Sequence, residues 1–165
     1  MVDFLFTTEQ TWSRADEVVD YLRRPRLWVP RSDYPDFEDW LGRTHLQLKS
    51  EAKRTILALH GGAIVGAVVY QPHRGAPGLL EIKNITVAPS ARGRHVASFL
   101  LRNAEIEGNQ DYGSHSVVVD TKMRNISMRA FLHRCGYRVL GVDDLYSLGA
   151  GKDVTYSKAI TYPPA

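Results

Sequence analysis

The sequence contains one cysteine, Cys135, so no disulfide can form within the chain. At 165 residues a chain buries roughly 70% of its unfolded surface, which holds a core without covalent staples. The six histidines, His45, His60, His73, His95, His115 and His133, show no i, i+4 pair and no cysteine partner pattern, so no metal site is expected. No apolar run approaches the roughly 18 to 20 residues of a membrane-spanning helix, the longest being Ile64 to Tyr70. A strong field of either sign is also missing. Twenty-one basic and 18 acidic side chains leave +3, too little to call for nucleic acid as a partner. The amino end lacks a basic start, Asp3 and Glu9 flanking a short apolar run, so it does not read as a signal peptide; the expected compartment is cytoplasmic.

What is present is 44% hydrophobic residues and a regular alternation of strand and helix signals. Val2 to Phe6 reads as a short strand, and Trp12 to about Arg24 as a helix that Pro25 ends. A proline-rich loop from Pro25 to Pro35 precedes a second helix, Asp36 to Glu51, spaced through Phe37, Trp40, Leu41 and Leu48. Arg54 to Leu59 and Ile64 to Tyr70 flank His60-Gly61-Gly62-Ala63 as a hairpin. Leu79 to Val87 is a strand. Gly93 to Glu107 is a helix, with Gly108 to Gly113 breaking the pattern. Ser116 to Val119, Asn125 to Cys135, Tyr137 to Leu140 and Asp153 to Ile160 read as strand, helix, strand and strand. The expectation is one α/β (α+β) domain over residues 1–160, a mixed, mostly antiparallel central sheet flanked by helices, with a short tail at 161–165.

The chemistry concentrates where the strand ending at Val87 passes through Pro89-Ser90-Ala91-Arg92-Gly93-Arg94-His95 into a helix. A helix amino end presents unpaired N–H groups and the positive end of a dipole, and a basic, glycine-containing turn entering it suits a pyrophosphate. Ser98 adds a hydroxyl. Arg92-Gly93-Arg94-His95-Val96-Ala97, with Ile85-Thr86-Val87-Ala88-Pro89 before it, resembles the signature of the GNAT superfamily of acetyl-CoA-dependent N-acetyltransferases. Arg92 and Ala97 match, while His95 stands where the family has glycine. Its Cβ either crowds a pyrophosphate or points outward and adds a donor. Asn125 to Tyr137, asparagine-led and ending in Gly136-Tyr137, resembles the family's second motif.

The resemblance implies acetyl-CoA as co-substrate, with its pantetheine arm pairing to the backbone of Ile85, Thr86 and Val87. It implies a pyrophosphate held by N–H groups of Arg92, Gly93, Arg94, His95, Val96, Ala97 and Ser98, and Asn125 reaching the arm from the other side. As a helix cap, Asn125 has an equally good structural task. The implied reaction is acetyl transfer to a primary amine of a small molecule or protein by direct attack in a ternary complex. The alternatives are a catalytically weak or inactive CoA-binding module and an enzyme acting on an RNA-linked amine. Many members are dimers, so a homodimer is possible.

Glu81 occupies the position of the glutamate base in the histone-acetylating branch. On a regular strand it shares a face with Lys83, Ile85 and Val87, at about 13 Å from Ile85, so a bulge or bridging water is needed for it to act. Lys83 beside it favours its ionised form. Leu132 occupies the position of the family's usual tyrosine acid, leaving Tyr137, Tyr156 or water for that task. Trp28, Tyr34, Phe37 and Trp40, with Asp33, Asp36, Glu38 and Asp39, form either an ammonium-attracting wall or simply a staple for the second helix. Cys135 reads as a structural cysteine, and Gly149-Ala150-Gly151-Lys152 as a turn.

Overall fold

A computed structural model describes residues 3–8, 12–27, 31–146 and 149–162. Val2, Trp28 and the Pro163-Pro164 tail, on which expectations were placed, lie outside the described residues. The order is β1 (Leu5–Thr7), α1 (Ala15–Leu22), a short 3-10 turn (Arg31–Asp33), α2 (Phe37–Lys49), β2 (Arg54–His60), β3 (Ala63–Pro72), β4 (Leu79–Val87), a second 3-10 turn (Pro89–Ala91), α3 (Val96–Tyr112), β5 (Ser116–Lys122), α4 (Ile126–Arg134), β6 (Arg138–Asp143) and β7 (Asp153–Ala159). Seven strands form one sheet in the order β1-β2-β3-β4-β5-β7-β6. Every neighbouring pair is antiparallel except β4 with β5. The mixed, mostly antiparallel sheet flanked by helices is the architecture the sequence implies.

Each face of the sheet has its own core. On one, α3 and α4 cover Ile56, Val68, Leu80, Ile82, Ile85, Val117, Val119 and Tyr156, with Leu100 and Leu132 supplied by the helices. On the other, α1 and α2 bury Val18, Tyr21, Leu41 and Leu48 against Leu57, Ala67 and Val69. No helix among the described residues is long and apolar enough to cross a membrane.

Three expectations need correction. The helix after the basic turn does not stop at Gly108 but runs to Tyr112. Gly108 is inside it because a Cβ there would stand 2.5 Å from the Leu80 side chain, so the glycine is a contact point between α3 and β4 rather than a break. Strand β5 extends past Val119 to Lys122, because β7 continues to pair with it. Strand β4 is not regular. Asn84 pairs with Val69 but Ile82 with Tyr70, so Lys83 is an extra, bulged residue. Beyond the bulge every side chain changes face: Ile85 and Val87 join Leu80 and Ile82 on the α3 side, while Glu81, Asn84 and Thr86 share the other. Glu81 therefore does not share a face with Ile85 and Val87.

Candidate active site

The bulge coincides with a parting of strands. β4 and β5 pair only from Leu79 with Ser116 to Ile82 with Val119. Past that point β4 stays with β3 to Val87, and β5 stays with β7 to Lys122. Each therefore presents one unpaired backbone edge to the gap, and an extended chain laid between them would find hydrogen-bonding groups on both sides. Ile85, Thr86 and Val87 lie on the β4 edge of this gap.

At the end of β4 the chain turns into α3, a helix of 17 residues. Its first internal backbone bond is the Phe99 N–H to the His95 carbonyl, and no side chain caps it, so the N–H groups of Val96, Ala97 and Ser98 are free of helix partners. Gly93 has open space where a Cβ would project. His95 is left-handed, with φ 62° and ψ 10°, and its side chain is exposed. It has taken the backbone conformation that favours glycine, with its side chain open to solvent. Close packing holds the helix end here: a Cβ on Gly66 of β3 would be 3.0 Å from both Val96 and Leu100.

Two side chains of the turn are engaged otherwise than expected. Arg92 Nε donates to the Val87 carbonyl at 3.0 Å, and its Nη2 to the Arg26 carbonyl at 2.8 Å. Its guanidinium thus fastens the segment after α1 to the end of β4. Ser98 Oγ donates to the His95 carbonyl at 2.8 Å. The Arg94 side chain is exposed.

Asn125 caps α4, its Oδ1 accepting from the Met128 N–H at 3.2 Å. Leu132 is fully buried and belongs to the core under α4. The two tyrosines left as acids by the sequence differ. Tyr137 Oη donates to Glu105 Oε1 at 2.9 Å, beside Lys158 and Tyr162, and burial holds its pKa far above that of a free phenol. That proton is committed. Tyr156 accepts from Arg129 Nε at 3.1 Å, so its own O–H is not given to Arg129. His133 lies edge-on to the Tyr156 ring with centroids 5.3 Å apart, and burial pushes the half-buried Cys135 thiol up, as suits a structural cysteine.

Glu81, partly buried, accepts from Gln71 Nε2 at 2.6 Å on one oxygen, and its other oxygen is 3.8 Å from His73 Nε2 and 4.0 Å from Lys83 Nζ. On the same face β5 carries Asp120 and Lys122. Lys122 Nζ is 3.0 Å from Asp153 in a fully buried pair and stands 5.9 Å and 5.8 Å from the Tyr34 and Tyr146 rings. So Tyr34, read as part of an ammonium-attracting wall, packs on an internal ammonium. Trp40 likewise covers Lys53 at 5.3 Å, and Phe37 belongs to the core. Three of the four acidic residues nearby are paired with arginines: Asp33 with Arg124, Glu38 with Arg31 and Arg23, Asp36 with Arg43. Ending β5 at Val119 leaves Asp120 and Lys122 out of the strand, although the alternation Val117, Val119, Thr121 carries the signal for its full length; Tyr146, beyond β6, reaches Asp120 from a segment distant in sequence, which no local pattern announces.

Comparison with known proteins adds to this geometry. The family model described as acetyltransferase (GNAT) family matches residues 15–137, well over half of the chain. An IAA acetyltransferase from Bacillus cereus is 26% identical, over 70% of this chain and 84% of that one, with a TM-score of 0.58. Aminoglycoside 6'-acetyltransferase type Ii shares the fold at 17% identity and a TM-score of 0.72, covering 98% of this chain and 99% of its own. A protein assigned as a streptothricin acetyltransferase of Bacillus anthracis, solved in complex with acetyl coenzyme A, is 18% identical over 66% and 63% of the two chains, with a TM-score of 0.59. A search of curated protein sequences finds no match.

Proposed function

The chain belongs to the GNAT acetyltransferase family, whose co-substrate is acetyl-CoA, and on that premise we propose that it moves an acetyl group from acetyl-CoA to a primary amine of a small molecule or protein by direct attack in a ternary complex. The observation that carries this reading is the gap between β4 and β5 opening beside the uncapped amino end of α3. The pantetheine arm fits as the missing strand along Ile85, Thr86 and Val87. The pyrophosphate fits the N–H groups from Gly93 to Ser98, where positive partial charge and open space coincide. Asn125 reaches the arm with the amide nitrogen that its cap leaves over. The thioester carbonyl then lies in the gap, where backbone N–H groups stabilise the charge that develops on its oxygen. The amine approaches from the face that carries Glu81 and Asp120.

Two structural relatives, the aminoglycoside and streptothricin acetyltransferases, are named for amine-bearing antibiotics, which supports an amine as acceptor. The test is calorimetric titration with acetyl-CoA, followed by thiol release with an amine panel. Saturable binding that Gly93→Asp weakens tenfold or more is expected, because a carboxylate there repels phosphate. No heat and no thermal stabilisation with the parent protein would sink the reading.

A further inference from the structure

Asp120 is the first residue of β5 past its last pair with β4, so it stands where the gap begins, on the face shared by Glu81, Asn84 and Thr86. Tyr146 Oη donates to its Oδ2 at 2.9 Å. Glu81 and Asp153, the carboxylates whose charges act on it, each face a cation within 4.0 Å, whereas Asp120 makes no ion pair among the described residues. Across the gap Asn84 Oδ1, on a residue 8% exposed, has no hydrogen-bond partner among the described residues. This corner therefore holds a carboxylate without a counter-ion and a buried amide oxygen without a donor. An ammonium group brings both a positive charge and three N–H donors.

Resting on the acetyl-transfer reading, we infer that Asp120, held by Tyr146, binds the ammonium of the acceptor and takes its proton, while Glu81 helps to orient it. Glu81 is already engaged, accepting from Gln71 Nε2 at 2.6 Å on one oxygen and facing His73 and Lys83 with the other. Burial raises the Asp120 carboxyl, the Asp153 and Glu81 charges add to the rise, and the Tyr146 hydrogen bond and Lys83 oppose it. Tyr34 also faces it, and Lys122 on its own strand is neutralised by Asp153. In the reaction the ammonium gives one proton to the Asp120 carboxylate. The freed amine lone pair forms the C–N bond at the thioester carbon as the C–S bond breaks. The departing CoA thiolate takes a second proton from nitrogen, the third stays on the amide, and Asp120 returns its proton to solvent. Proton balance is one released per turnover.

The test is the pH dependence of kcat/KM for thiol release with spermidine, kanamycin and lysine ethyl ester, in the parent, Asp120→Asn, Tyr146→Phe and Glu81→Gln. Asp120→Asn is expected to lose at least a hundredfold in rate and the acid limb of the profile with it. Tyr146→Phe, which removes a bond to the ionised carboxylate, should move that limb to higher pH. Glu81→Gln should keep the limb with a raised KM for the amine. Thermal stabilisation by acetyl-CoA should be equal in all four, which separates loss of chemistry from loss of fold. If Asp120→Asn keeps the parent's profile, or Glu81→Gln abolishes the limb, the inference is overturned while the function stands. If the parent releases no thiol with any of these amines, the reading of function fails and the inference with it.

Discussion

The Arg92 side chain donates 2.8 Å to the carbonyl of Arg26, a residue 66 positions earlier. With its bond to Val87 this places one guanidinium between the end of β4 and the segment that follows α1. On the other side of the gap Asp33, from the same connection, is held by Arg124 in the turn after β5. The connection between α1 and α2 is thus anchored to both banks of the gap. Arg92→Ala should raise the KM for the amine more than that for acetyl-CoA, and lower stability by about 1–2 kcal/mol through two lost hydrogen bonds. Steady-state kinetics with each substrate varied would check the split.

Tyr137→Phe separates a structural tyrosine from a catalytic one. Its hydroxyl serves Glu105, which also holds Lys158 and Tyr162. Activity per folded molecule is expected to be unchanged, with stability lower by about 1 kcal/mol in urea unfolding. A large fall in kcat would instead make Tyr137 the proton donor to the leaving thiolate.

His95→Gly should stabilise the protein by roughly 1 kcal/mol, because a side chain is removed from a left-handed position. Gly66→Ala acts in the opposite direction. Its methyl would press on Val96 and Leu100 and lift the amino end of α3 from the sheet, costing about 1–3 kcal/mol. Thermal melts with and without acetyl-CoA should show a smaller ligand-induced rise in Gly66→Ala than in His95→Gly.

Lys53 carries a pH signature. Burial under Trp40, followed by the charges of Lys83, Arg43 and Arg74, pulls its ammonium down to about 8. The unfolded chain then binds more protons than the folded one between about pH 8 and 10.5, so this group makes stability rise with pH across that window. Relative to Lys53→Met, the parent should gain roughly 2 kcal/mol from pH 8 to 10.5. Parallel slopes for the two proteins would show that Lys53 titrates normally.

The hairpin of β2 and β3, the strand before the basic turn and the asparagine-led helix were legible because each rests on local signals: glycine at a turn, alternation, and a cap. The bulge at Lys83 was not read, although Leu80, Ile82, Ile85 and Val87 are spaced two, three and two apart, a skip that regular alternation does not produce. Arg92 was legible as a position of a motif but not as an anchor, since its partner, the Arg26 carbonyl, belongs to a distant loop. The task of Asp120 depends on where β4 leaves β5. That is a property of pairing between strands, which no single segment encodes.

Four parallel pairs are the whole of the sheet's connection between β1–β4 and β5–β7. Beyond them the protein carries two edge strands inside its own sheet, facing each other without pairing, the Val87 carbonyl taken by Arg92. Natural sheets guard such edges because another chain can zip onto them. On the proposed reading of the gap the guard is the acyl donor, which would complete the sheet for as long as it is bound. Resistance to aggregation on warming should then track occupancy by the donor more closely than occupancy by the amine.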